Sequence, residues 1–164
     1  MSDKKEIQQG ISYGIISGTL TTIGIILGFI HSNGIKKKII LTAIISAVIA
    51  DSISDGYSIY FSNKTIFNDN KQAIKGGVVT FAIKLSVGLT FCLPFIFSNN
   101  IITSIYICII WSYILLFLDS LYIAKIKHYD SIQTRNEIMK QIVLGSTVLC
   151  VAYLVSHSIE TYYS

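Results

Sequence analysis

The stretch Ile39–Phe61, IILTAIISAVIADSISDGYSIYF, decides how this chain is read. It is uncharged except for Asp51 and Asp55, and it exceeds the roughly 20 apolar residues that a bilayer-spanning helix needs. An ionised carboxylate at the centre of such a helix costs roughly 2.5–3.5 kcal/mol even on insertion-based scales. Two of them at i,i+4 share one helix face and repel each other. Such a pair persists where the carboxylates face a cavity and hold a cation, a proton or a buried lysine.

Four further apolar stretches flank it. Ile7–Ile30 is uncharged throughout, Gly76–Phe97 contains Lys84 and carries Pro94 near its end, Ile101–Ile123 contains Asp119, and Ile142–Ile159 carries His157. The chain therefore reads as an all-α membrane protein, a single domain of five transmembrane helices over residues 7–30, 39–61, 76–97, 101–123 and 142–159. The first stretch is too long for a signal-peptide core, and no small-residue cleavage pattern follows it, so it is expected to stay in the mature protein. Composition agrees: of 164 residues, 52% are hydrophobic and 13% charged, about half the charge of a soluble domain. Mean hydropathy is +0.61.

The net charge of +4 would suit nucleic acid in a soluble protein. Here the positive residues lie between apolar spans and act as orientation signals. Lys4, Lys5, Lys64, Lys71, Lys75, Lys125, Lys127, Arg135 and Lys140 fall on the side of the N-terminus, and only Lys36, Lys37 and Lys38 fall on the other. Nine against three places the N-terminus in the cytoplasm and the C-terminus outside or in a lumen. Tyr57, Tyr60, Tyr122, Tyr153, Tyr162 and Tyr163, near span ends, fit interfacial aromatic belts. No zinc-type Cys/His pattern appears, and Cys92, Cys108 and Cys150 read as small buried hydrophobes. Nucleophile elbows and phosphate loops are absent, and His31, His128 and His157 are widely separated, so no enzyme is expected.

At about 1.5 Å per helical residue, Asp51 lies about 15 Å and Asp55 about 9 Å from the cytoplasmic end of its span. Lys84 comes out at about 12 Å and Ser17 at about 15 Å, with Thr21 deeper. Asp51, Asp55, Ser17 and Lys84 thus come to a common level. Gly10, Gly14, Ser17, Gly18 and Thr21 form a small, partly hydroxylated stripe on the first span that suits close helix packing. Asp51, Ser54, Asp55 and Ser58 make a polar face on the second. Asp119, about 6 Å from its span end, is expected to pair with Lys125 at the interface. His157 and Glu160 form an i,i+3 pair at the outer end of the last span, read as an interfacial polar pair or a weak metal site. The segment 124–141 reads as a charged cytoplasmic helix or loop.

With these residues assembled, a resemblance emerges. Ser17-Gly18-Thr19-Leu20-Thr21-Thr22-Ile23-Gly24 resembles the first-helix signature of the vacuolar iron transporter family. Ala50-Asp51-Ser52-Ile53-Ser54-Asp55 with Tyr60 resembles its second-helix motif, and Leu93-Pro94-Phe95 its proline-terminated third helix. The resemblance implies a homodimer paired through the first helix, moving Fe²⁺ or Mn²⁺ out of the cytosol in exchange for protons. No permanently bound cofactor is implied. Asp51 would meet the metal, and Asp55 would stand where many members carry a methionine, which favours a harder ion. Three departures accompany it. Ser17 replaces an aspartate. The insert 62–75 is short and has Asp69 as its sole carboxylate, too few to collect metal. Lys84 puts an ammonium at carboxylate depth. The rival reading is a non-transporting membrane protein of the same fold, in which Lys84 and the aspartates form a structural network.

Overall fold

Long runs of Ile, Leu, Val and Ala broken only by short polar turns leave the backbone one way to satisfy its hydrogen bonds in an apolar medium, the α-helix. The computed structural model describes residues 3–31, 34–66 and 70–163. Its helices are α1 (Asp3–Leu27), α2 (Lys37–Ile66), α3 (Asn70–Thr90), α4 (Leu93–Phe97), α5 (Ile101–Lys127) and α6 (Ser131–Tyr163). Five helical units are long and apolar enough to cross a membrane, α3 and α4 together counting as one. The all-α, five-span expectation is met. Asp69 and the side chains of Lys4 and Tyr163 lie outside the described residues.

Several boundaries differ from the sequence reading. The third span breaks after Thr90 and restarts at Leu93 with Pro94 in the first helical turn, where its missing N–H costs nothing. The segment 124–141, read as a helix or loop, is helical apart from a short turn: α5 runs on to Lys127, His128 turns the chain with a positive φ of 52°, and α6 begins at Ser131. Asp130 Oδ1 accepts from the Gln133 amide at 2.7 Å, while Gln133 Oε1 accepts from the Asp130 amide at 3.2 Å. That reciprocal pair is a capping box, and it starts α6 eleven residues earlier than the apolar run alone suggests.

Helix α1 is central and packs on α2, α3, α5 and α6, while α3 lies between α1 and α2. Glycines set these close approaches. A Cβ on Gly14 would fall 2.9 Å from Ile83 Cγ2, and one on Gly10 2.9 Å from the Gly76 carbonyl. The small-residue stripe of α1 is thus covered by α3 of the same chain. Between α2 and α3, Gly56 and Gly77 face each other, and a Cβ on Gly77 would meet the Gly56 carbonyl at 2.6 Å.

The interior has two zones. Ile23, Ile26 and Leu27 of α1 pack with Ile40, Ile44 and Val48 of α2, Phe91, Cys92 and Phe95 around α4, and Ile105 and Cys108 of α5. This apolar cluster fills the half of the bundle where α1 ends. Toward the start of α1 many of the buried residues are polar, among them Glu6, Ser52, Asn63, Thr80, Lys84, Asp119, Ser120 and Gln141. Of the cysteines, Cys92 and Cys108 are buried as expected, but Cys150 is exposed on α6, which makes the fewest interior contacts of the five spans.

Candidate cation site within the span

Lys84 sits four turns into α3, one residue after Ile83, which packs on Gly14, and its stem lies against Gly18 of α1. A Cβ on Gly18 would be 3.2 Å from the Lys84 carbonyl and 3.3 Å from its Cγ. With α1 held that close, the ammonium reaches across to α2. Lys84 Nζ donates to Asp55 Oδ2 and, at 2.7 Å, to Ser17 Oγ. Asp51 Oδ2 lies 2.6 Å from the same nitrogen as an ion-pair contact, off the direction of a hydrogen bond. Ser17 Oγ in turn donates to Asp55 Oδ2 at 2.7 Å. Tyr13 lies against Asp55 and Ser17. An ammonium has three N–H groups and no acceptor; here three oxygens from two helices surround it.

The sequence had placed Asp51, Asp55, Ser17 and Lys84 at one depth, and the structure joins all four in one network. The Lys84 side chain is 3% exposed, Asp55 18% and Asp51 32%. Ionised, the triad carries two negative charges against one positive. The excess charge belongs to the more exposed Asp51, the carboxylate least tightly bound to the lysine. Thr21 is half-buried and is not among the partners of Lys84; on this part of α1 the fully buried threonines are Thr19 and Thr22. Ser54 and Ser58, expected on the aspartate face, point outward, with Ser58 bonded back to the Ser54 carbonyl.

A second intramembrane carboxylate departs from expectation. Asp119 is fully buried and accepts from Ser12 Oγ at 2.8 Å and from Gln141 Nε2 at 3.3 Å, with no contact to Lys125. The reason is geometric. With α5 continuing to Lys127, Asp119 lies about 12 Å from the helix end, and a residue six positions on projects from a different face. Lys125 is exposed. Gln141 falls in the segment 124–141, where the sequence leaves helix and loop open and so does not single it out as a partner for Asp119.

At the other end of the bundle His157 and Glu160 lie one turn apart on α6, but Glu160 pairs with His31, whose Nδ1 is 3.3 Å from Glu160 Oε2. The chain ends also sort as five alternating spans require. Lys37 Nζ donates to the Ser98 carbonyl and Ser156 Oγ to the Gly28 carbonyl at 3.1 Å, gathering the end of α1, the start of α2, the 98–100 turn and the end of α6 on one side.

Comparison with protein-family models, with characterised proteins and with solved structures finds no match to this chain.

Proposed function

We propose that this protein is a transporter that moves a divalent cation, Fe²⁺ or Mn²⁺, out of the cytosol through the Asp51–Asp55–Lys84 site, with Lys84 as the gate. The observation that supports this reading is the position of the Lys84 ammonium. It fills the place a cation would take between two carboxylates, while those carboxylates remain partly exposed. An incoming metal and the ammonium compete for the same oxygens, so metal entry requires Lys84 to swing away or lose its proton. That competition links metal binding to proton movement. Oxygen donors from two carboxylates and a hydroxyl suit Mn²⁺ or Fe²⁺. The N-terminus is cytoplasmic by the lysine distribution. A homodimer paired through α1 would use the edge around Tyr13, since Gly10, Gly14 and Gly18 face α3.

A second reading is a structural ion-pair network without transport, favoured by the near-complete burial of Lys84 among its three oxygen partners. Buried charges of this kind survive when paired. The two readings separate in sealed vesicles reconstituted with the purified protein. The transporter reading expects Mn²⁺ or Fe²⁺ uptake with a linked pH change, lost in Asp51→Asn and Asp55→Asn. Wild-type vesicles that take up neither metal, or full flux in both variants, would overturn it. Flux that arises only in Lys84→Met would establish the structural reading for the native chain.

A further inference from the structure

We propose a second metal site at the opposite end of the bundle, built from His31, His157 and Glu160 and suited to an exchangeable Zn²⁺-class transition-metal ion. The three residues come from the turn after α1 and the last turns of α6, 126 positions apart between the two histidines. One nitrogen of each imidazole and one carboxylate oxygen lie within 4.8 Å of one another. Ligand atoms around a tetrahedral Zn²⁺ with bonds of about 2.0–2.2 Å stand about 3.4 Å apart. Side-chain rotations that close the cluster by up to about 1.4 Å would complete the site without moving a helix.

Two independent observations point to a ligand there. First, His31 Nε2 is buried and has no hydrogen-bond partner among the described residues, although the ring's other nitrogen is engaged by Glu160 at 3.3 Å. An imidazole nitrogen sealed from solvent with nothing to bind is a costly arrangement, and a metal bound to it relieves it, whereas a proton would only add a donor without an acceptor. Second, the surroundings hold the rings in place. His31 is 4.9 Å from the Tyr153 ring and 5.3 Å from the His157 ring, and His157 stacks on Tyr153 at 10° between planes. The Ser156 hydroxyl, bonded to the Gly28 carbonyl, fixes α6 against the end of α1 beside the cluster. Two imidazoles brought this close also repel if both are protonated, whereas neutral rings can share a cation.

The ligand set selects the metal. Two nitrogens and one oxygen are borderline donors that suit Zn²⁺, Co²⁺, Ni²⁺ or Cu²⁺, and they exclude the all-oxygen shells of Mg²⁺ and Ca²⁺. Three protein ligands leave one position of a tetrahedron open. His157 is exposed and Glu160 half-buried, so that position faces outward and the ion can come and go. This site differs in donor chemistry and position from the Lys84 cluster, and it holds whether or not that cluster transports metal.

The test uses full-length, detergent-solubilised protein carrying no polyhistidine tag, stripped with chelator and titrated with CoCl₂ while the visible d–d bands are followed. ZnCl₂ then serves as competitor. The expected result is one saturable Co²⁺ per chain, displaced by Zn²⁺, with a melting temperature that rises with free metal. His157→Ala removes an exposed ring, leaves the fold intact and abolishes saturable binding. Glu160→Gln weakens it. Asp51→Asn leaves it unchanged, which separates this site from the intramembrane one. Absence of saturable Co²⁺ binding in the wild type, or unaltered binding in His157→Ala and Glu160→Gln, overturns the proposal.

Discussion

Replacing Gly77 by alanine adds a single methyl at a point where α3 meets the backbone of α2, and the structure sets its cost. The new Cβ would stand 2.6 Å from the Gly56 carbonyl oxygen and 2.8 Å from Tyr60 Cβ. Ordinary contact begins near 3.4 Å, so the helices must separate by about 0.8 Å, and a backbone carbonyl cannot rotate out of the way. Overpacking of this kind costs about 1–3 kcal/mol, and alanine returns up to about 1 kcal/mol of helix propensity. Because the clash is with backbone, the upper half of the overpacking range applies, and the net loss of about 1–2 kcal/mol corresponds to a fall of about 2–8 °C in Tm for a chain of this size. Lys84 lies two turns along the same face of α3, and Asp55 is next to Gly56, so the same separation loosens the ion pair. Gly24→Ala is the internal control, because its Cβ would find only Val148 Cγ1 at 4.0 Å. Thermal unfolding in detergent should show Gly77→Ala lowered and Gly24→Ala unchanged or raised. Equal melting temperatures for Gly77→Ala and wild type would refute the close-packing argument.

Lys84→Met strands two carboxylates in the span; removing one partner of a buried pair costs about 3–5 kcal/mol, and the partial exposure of Asp51 puts this case at the lower end. The double variant Lys84→Met/Asp55→Asn should recover much of that loss in the same melting assay, and no recovery would mean that the pairing is not what Lys84 contributes. Asp130→Ala removes the cap of α6, so amide exchange over residues 131–134 should accelerate to match a loss of about 0.5–2 kcal/mol; unchanged protection would show that packing alone fixes that end. For orientation, a membrane-impermeant maleimide applied to intact cells should label Lys38→Cys and spare Lys64→Cys, and the reverse pattern would invert the topology.

The five spans were legible because lipid-crossing length and apolar composition depend on local sequence alone. The central cluster was legible for a related reason: depth along a helix is a linear function of residue number, so Ser17, Asp51, Asp55 and Lys84 could be brought to one level before any packing was known. What depth cannot supply is azimuth. Thr21 shares the stripe with Ser17 in the sequence yet lies outside the network, and Ser54 and Ser58 turn away from the aspartates they accompany. Asp119 was misjudged because its helix was ended at the last apolar residue. The signal that corrects it, the Asp130–Gln133 box, lies in the segment where the sequence leaves helix and loop open. His31 was beyond reach, because its partners lie on the last span and only the crossing of α1 and α6 brings them together.

The ammonium enclosed by Asp51, Asp55 and Ser17 also constrains how the chain is built into a membrane. Helix α2 emerges from synthesis first, carrying two carboxylates with no counter-charge, and each costs roughly 2.5–3.5 kcal/mol at the bilayer centre. Helix α3, which begins four positions after α2 ends, carries Lys84 as the one charge within its apolar stretch and is also costly by itself. Neither is a comfortable solitary passenger in lipid, but as a hairpin they cancel most of each other's charge. Biogenesis of this protein therefore favours α2 waiting at the insertion machinery until α3 arrives, so that the two enter together with their charges already paired.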